Sequence, residues 1–360
     1  MKSLFPALLA PLLLTATVGQ SYQGVGPATA TRLPSGPRIL QVQKPQSDFT
    51  HRLPPPVSAE TKRDMEAKLT EARIRYEANP HDPEAIIWLG RRLGYLGRFR
   101  EALQIFSDGV HEFPADPRFY RHRGHRYLTL RKFDLAIQDL EKAANLIRGK
   151  ADEVEPDGQP NARNIPTSTL QFNIWYHLGL AYYLKGNNEK AHRSYQECLK
   201  VSKNPDALVA TAHWLYMTLR RLNRLRDEIK LLQQIKENMD VIENQGYYKL
   251  LLMYKGKISA ETLEQEASKQ QASPGSTSIL YGVGNWHRLD AREKDALRVF
   301  RKILAGNQWT SFGFIAAEAE LRNMKVTPYA IPYAPNSAER APSQAKPRFT
   351  ITPRNSITSQ

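Results

Sequence analysis

One cysteine in 360 residues, Cys198, leaves no possibility of a disulfide within the chain. The zinc-protease pattern His-Glu-x-x-His, the Gly-x-Ser-x-Gly elbow and a phosphate-cradling glycine loop are all absent, so no enzyme class is suggested by motif. Acidic residues are scarce beside basic ones, 36 against 51, a formal charge of +15. That excess favours anionic partners, but no nucleic-acid motif accompanies it and a nucleic-acid role is not expected. An apolar stretch from Leu4 to Val18 is about 15 residues long, short of the roughly 20 that a spanning helix needs.

Proline is plentiful but unevenly placed. Seven prolines fall between Ser21 and Val57 and six between Val326 and Gln360. At that density helix is blocked, and both ends read as disordered, extended tails. They carry seven of the fifteen net charges, leaving about +8 on the helix-rich centre. Lys2 followed by the apolar stretch reads as an export signal, with cleavage expected before Gln20. An uncleaved N-terminal anchor is the alternative. The expected division is a signal at 1–19, a proline-rich linker at 20–57, a folded body at 58–325 and a basic, proline-rich tail at 326–360. The expected location is exported, periplasmic or secreted.

Within the centre one spacing dominates. Gly90, Phe99 and Ala102 recur 34 residues later as Gly124, Phe133 and Ala136, and Pro80 and Pro83 recur as Pro114 and Pro117. A period of that length marks stacked helical hairpins. A second spacing is fixed inside each hairpin. A glycine precedes an alanine by 12 residues at Gly90/Ala102, Gly124/Ala136, Gly179/Ala191 and Gly284/Ala296. Four residues after the alanine comes a bulky group: Phe106, Leu140, Tyr195 or Phe300. Small residues allow two helix axes to approach, and the bulky one fills the next groove.

These residues resemble the tetratricopeptide repeat. The first copy reads Leu89-Gly90, Gly97, Phe99, Ala102, Phe106 and Pro114. The second reads Gly124, Tyr127, Phe133, Ala136, Leu140 and Ala143, and the third Leu178-Gly179, Tyr182, Gly186, Ala191, Tyr195 and Leu199. The resemblance implies an all-α, right-handed solenoid of about six hairpins whose inner groove binds peptides or protein segments. Later copies are degraded: Ala210–Leu222 with Leu225–Met239, then Tyr247–Tyr254 with Ala260–Ala267, then Tyr281–Leu304. Ala59–Ala78, capped by Ser58, is expected to precede the array and Phe312–Met324 to close it. An insertion at 149–168 separates the second and third copies. It reads as a polar surface excursion whose acids, Asp152, Glu153 and Glu155, belong to a flexible, solvated loop.

The resemblance also implies which positions of each first helix face the groove. From these come the candidate peptide-binding residues Arg91, Tyr95, Arg118, Arg121, His125, Tyr176, Tyr183, Arg220 and Arg221. Arginine forks onto carboxylates and tyrosine offers contact area, so an acidic or C-terminal peptide is the expected ligand. The function read from this is a non-enzymatic scaffold or adaptor of the cell envelope. An envelope polymer such as peptidoglycan or an anionic polysaccharide is the alternative ligand, and an enzyme with an unrecognised site the least favoured reading. No cofactor or metal is expected: His122 and His125 are three apart, but Arg118, Arg121, Arg123 and Arg126 surround them and oppose a cation. Cys198 takes a small-residue slot and is expected to be a buried, inert packing residue.

Overall fold

A computed structural model describes Phe49, residues 52–269 and residues 272–325. The chain divides into two compact units, 1–47 and 48–360, and every described residue belongs to the second. The expected signal, most of the linker and the basic tail lie outside the described residues.

Fourteen helices and no strand are found among the described residues. They are α1 (Ala59–Ala78), α2 (Pro83–Tyr95), α3 (Phe99–Glu112), α4 (Pro117–Thr129), α5 (Phe133–Leu146), α6 (Leu170–Leu184) and α7 (Asn188–Val201). After them come α8 (Pro205–Arg221), α9 (Leu225–Gln233), α10 (Gln245–Tyr254), α11 (Ala260–Lys269), α12 (Pro274–Leu289), α13 (Glu293–Leu304) and α14 (Phe312–Asn323). Consecutive helices pack as hairpins, α2 on α3 through α12 on α13, and form the all-α solenoid.

The recurring residues now have physical roles. Pro83 and Pro117 open α2 and α4 at the first turn, where a missing N–H costs nothing. The carboxylates of Asp82 and Asp116 cap those helices, accepting from the backbone N–H of Glu84 (3.0 Å) and Arg118 (2.9 Å). Ser58 caps α1 in the same way, at 3.0 Å from the N–H of Thr61. In four of the hairpins a glycine lies beneath the bulky group 16 residues on. A Cβ on Gly90 would stand 2.5 Å from Phe106 Cε1, one on Gly179 2.6 Å from Tyr195 Cε1, and one on Gly284 2.7 Å from Phe300 Cε1. These side chains are fully buried, each contributing about 1.5–3 kcal/mol.

Every hairpin turn carries one residue with positive φ: Gly97, Arg131, Gly186, Asn223, Gly256 and Ala291. At Arg131 (φ 60°) the left-handed backbone costs a side-chain-bearing residue roughly 1 kcal/mol. The side chain offsets that cost. Its guanidinium is wholly buried, donating to the carbonyl of Trp309 at 2.7 Å and pairing with Glu318 of α14. The second hairpin therefore grips the end of the array, and α14 packs against α6 as well as α12 and α13.

Two expectations are corrected here. Helix α9 stops at Gln233 rather than Met239, because Ile235 and Val241 turn inward to the core while Lys255 Nζ donates to the Ile235 carbonyl at 2.6 Å. The end of the proline-rich linker is docked. Phe49 stacks on Trp309 with centroids 5.7 Å apart, the indole N–H of Trp309 donates to the Leu53 carbonyl at 2.7 Å, and Pro54 covers Gly97. Proline blocks helix in this stretch, but a preformed extended segment loses little entropy on packing. No described helix is long and apolar enough to cross a membrane.

Candidate functional site

The concave face retains a cavity of about 340 Å³ between α2, α4, α6, the 149–168 insertion, the loop before α10 and the start of α14. Arg91 and Tyr95 reach it from α2, and Arg121, His122, His125 and Arg126 from α4. Asn173, Tyr176 and His177 line the α6 side, Tyr247 comes from α10, and Phe312 stands at the end of α14. Helical spacing explains the cluster. Residues 118, 121–122 and 125 share one stripe of α4 that faces the inside of the curve.

The histidines here are neutral. His122 Nδ1 accepts from Arg121 Nη1 at 3.0 Å, and burial beside Arg121 and Arg91 holds its pKa well below the usual value. His177 donates from Nδ1 to the Asn173 carbonyl, and burial, then Arg121, pull it down to about 3. His125 lies against His177 with ring centroids 4.5 Å apart and against Phe312 at 5.5 Å, and burial beside Arg126 keeps it well below its ordinary range. Among the described residues no trio of His, Cys, Asp or Glu is placed to hold a metal ion.

The arginines are not neutral. Arg121 pairs with Glu155 of the insertion (Nη2–Oε1 2.8 Å), each side chain only 9% exposed. Arg126 lies across Gly94, where a Cβ would stand 3.1 Å from Nη1, with its guanidinium carbon 5.8 Å from the Phe99 ring centroid. No described carboxylate or carbonyl accepts from it, and burial with Arg121 and Arg91 nearby pulls its pKa down to about 10, Tyr95 opposing. Asp157 and Glu243 also line the cavity, at its exposed rim. The interior of the cavity therefore holds three guanidinium groups against one carboxylate. The interior thus carries an excess of positive charge.

Five of the nine candidate residues meet at this cavity: Arg91, Tyr95, Arg121, His125 and Tyr176. The other four do not line it. Arg118 is folded onto Asp116 (Nη2–Oδ2 2.6 Å) and Glu84 (Nη1–Oε2 2.7 Å). Tyr183 is buried against Tyr281 (2.9 Å between hydroxyls) and Asn285. Arg221 stacks on Tyr183 at 4.5 Å and pairs with Glu320 of α14, which Arg288 also holds. Arg220 donates to Asp290 at 2.9 Å. For Arg221 the reason is α14, which supplies a carboxylate only 2% exposed, whereas Arg118 and Arg220 are taken by acids of α2, of the α3–α4 turn and of the α12–α13 turn.

Within the insertion Asp152 and Glu153 are exposed, but Glu155 is not. Glu155 is drawn onto Arg121, and Arg91 Nη2 and Arg92 Nη1 donate to the carbonyls of Pro156 (2.8 Å) and Gly158 (2.7 Å). Arg126, His177, Glu155 and Phe312 are the site residues that the sequence reading missed. For Arg126 a signal existed: four arginines fall within nine residues of one helix, Arg118, Arg121, Arg123 and Arg126, and they cannot all face solvent. Cys198 is fully buried with its thiol pushed up to about 12 by burial, 3.1 Å from the Thr211 hydroxyl, as expected of a packing residue.

The third hairpin, α6 and α7, is also where comparison with known proteins is sharpest. A family model described as "Tetratricopeptide repeat" matches residues 172–205. The α6–α7 hairpin is therefore similar to a tetratricopeptide repeat. Over 224 residues, 62% of its length, the chain is 18% identical to anaphase-promoting complex subunit 3 of Schizosaccharomyces pombe. It spans only 30% of that relative's length. Similar solved structures include a tetratricopeptide repeat protein from Parabacteroides merdae (15% identity, 71% of this chain and 94% of that one, TM-score 0.41). Another is YrrB, described as a TPR protein with an unusual peptide-binding site (14% identity, 69% and 97%, TM-score 0.37). A third is MamA (18% identity, 55% and 95%, TM-score 0.37).

Proposed function

We propose that the chain is a non-enzymatic adaptor that holds a carboxylate-bearing segment of a partner protein in the concave cavity. The observation that carries this reading is Arg126, a desolvated cation with no counter-charge, beside Arg91 and Arg121. Three guanidinium groups in a site of low dielectric repel one another, and an entering carboxylate relieves that repulsion through charge-assisted, two-pronged hydrogen bonds. Tyr95, Tyr176 and Tyr247 supply contact area around it. A role in the cell envelope rests on reading residues 1–19 as an export signal. The partner is then another envelope protein.

The test is photo-crosslinking in cells from position 247, on the cavity wall. A protein adduct is expected with the unaltered chain and not with Arg126→Gln. An adduct of equal yield in that variant, or transfer of label to an envelope polymer instead of protein, overturns the reading.

A further inference from the structure

The insertion shows how the concave face holds an extended chain. Its two limbs pair as a short ribbon: the N–H of Leu170 donates to the Glu153 carbonyl at 2.9 Å, and that of Glu155 to the Ser168 carbonyl at 3.2 Å. The first limb then lies along α2 and α4, and each contact reads one feature of it. Arg91 and Arg92 take the carbonyls of Pro156 and Gly158, contacts that require only an extended backbone. Arg121 takes the carboxylate of Glu155. Tyr95 lies so close to Gly158 that a Cβ there would stand 2.0 Å from its hydroxyl, so a side chain at this position has to push the Tyr95 ring aside. Together these are a carboxylate and, three residues later, a glycine.

We propose that this face is a recognition surface for an extended Glu-x-x-Gly segment, and that Glu155–Gly158 is a resident occupant which a partner segment of the same chemistry displaces. The proposal rests on the adaptor reading only in taking the concave face as the binding face.

Two observations argue that the resident is exchangeable. Its ion pair is incomplete, because Arg121 Nε and Glu155 Oε2 are both buried without a hydrogen-bond partner, so one prong of the fork is unused. An untethered carboxylate can align both oxygens and use it. The insertion also commits little apolar surface to the core, since Val154 and Ile165 are 57% and 43% exposed. Segments of that kind open at low cost. The tether works against a competitor, acting as a local concentration of about millimolar.

The experiment uses a fluorescein-labelled peptide with the sequence of residues 151–160 and the full chain. In the double variant Glu155→Gln/Gly158→Val the resident is dislodged, and the peptide is expected to bind at least tenfold more tightly than to the unaltered chain. Peptides carrying Glu155→Gln or Gly158→Ala are expected to lose at least tenfold, as is the opened chain carrying Arg121→Gln in addition. On the unaltered chain, millimolar peptide is expected to accelerate hydrogen exchange at the amides of Glu155 and Leu170. Absence of binding to a folded double variant overturns the proposal, and so does equal binding of all three peptides. Should the double variant not fold, unchanged exchange in the unaltered chain does the same. Retained crosslinking at position 247 alongside those failures would leave the adaptor reading standing and sink only the Glu-x-x-Gly assignment.

Discussion

Arg131 Nε lies 2.7 Å from Oε2 of Glu318, a carboxylate 187 residues further along the chain. The pair joins the second hairpin to the last helix, with the Phe49 ring centroid 4.2 Å from the same guanidinium. Removing the carboxylate takes from a buried cation its partner on the last helix. Glu318→Ala is expected to cost about 3 kcal/mol in urea unfolding, whereas the apolar pair Arg131→Met/Glu318→Leu recovers most of it. A Glu318→Ala chain as stable as the original would show that the pair does not hold the array closed.

The glycines differ in what lies over them, and their substitutions should differ accordingly. A Cβ on Gly124 would meet Leu140 Cγ at 2.8 Å, but one on Gly313 would meet the backbone carbonyl oxygen of Thr277 at 2.5 Å. A leucine can shift and a helix backbone cannot. Gly124→Ala is expected to cost about 1 kcal/mol and Gly313→Ala about 3 kcal/mol or more. Thermal melts of the two variants, ranked against each other, make the comparison.

Acid should unfold this protein early. Burial holds His177 and His213 at about 3, and His122 and His125 are well below their ordinary value, while in the unfolded chain all four titrate near 6.5. Above pH 6.5 neither state carries the protons and the histidines have no effect. Below it only the unfolded state binds them, so stability falls as pH drops from 6.5 towards 3. The loss approaches about 1.4 kcal/mol per pH unit for each histidine. Melting temperature should therefore fall steeply below pH 6, and less steeply in His213→Phe. A flat profile between pH 7 and 5 would contradict the buried neutral state.

Stability and capture are predicted to move in opposite directions at Arg126. Replacing it by Met removes an uncompensated cation and keeps the packing across Gly94. The melting temperature should rise by a few degrees at neutral pH, while crosslinking to the partner is lost. A variant that melts lower and still captures would reverse both halves of the argument.

Cys198 offers a simple check on the third hairpin. With the thiol pushed up to about 12 and no exposed surface, native protein at pH 8 should resist alkylation for hours and react fully once denatured. Rapid labelling of the native chain would mean that α7 and α8 do not seal it.

The hairpins were legible because their signals are local and periodic. Gly90 and Phe106 sit in neighbouring helices, and proline at position 83 or 117 marks a helix start whatever the rest of the chain does. The cavity was half legible. Arg91, Tyr95, Arg121, His125 and Tyr176 lie on faces that helical spacing dictates, so a register alone brings them together. Arg118, Tyr183, Arg220 and Arg221 share the same spacing, but their surroundings depend on local acids and on α12 and α14. The Arg221–Glu320 and Arg131–Glu318 contacts span roughly 100 and 190 residues. No pattern in a single sequence encodes contacts at such separation. Glu155 was misjudged for a related reason: insertion acids read as solvated until the helix they cross is known.

Closure sets a limit on how this array can change over evolutionary time. An open spring of repeats lengthens by duplication, since each new unit meets only its neighbours. Here an extra 34-residue unit placed anywhere between Arg131 and Glu318 would carry the acceptor away from its donor and unseat Phe312 from His125. Growth by copying is therefore opposed throughout that segment, which is committed to a fixed number of units.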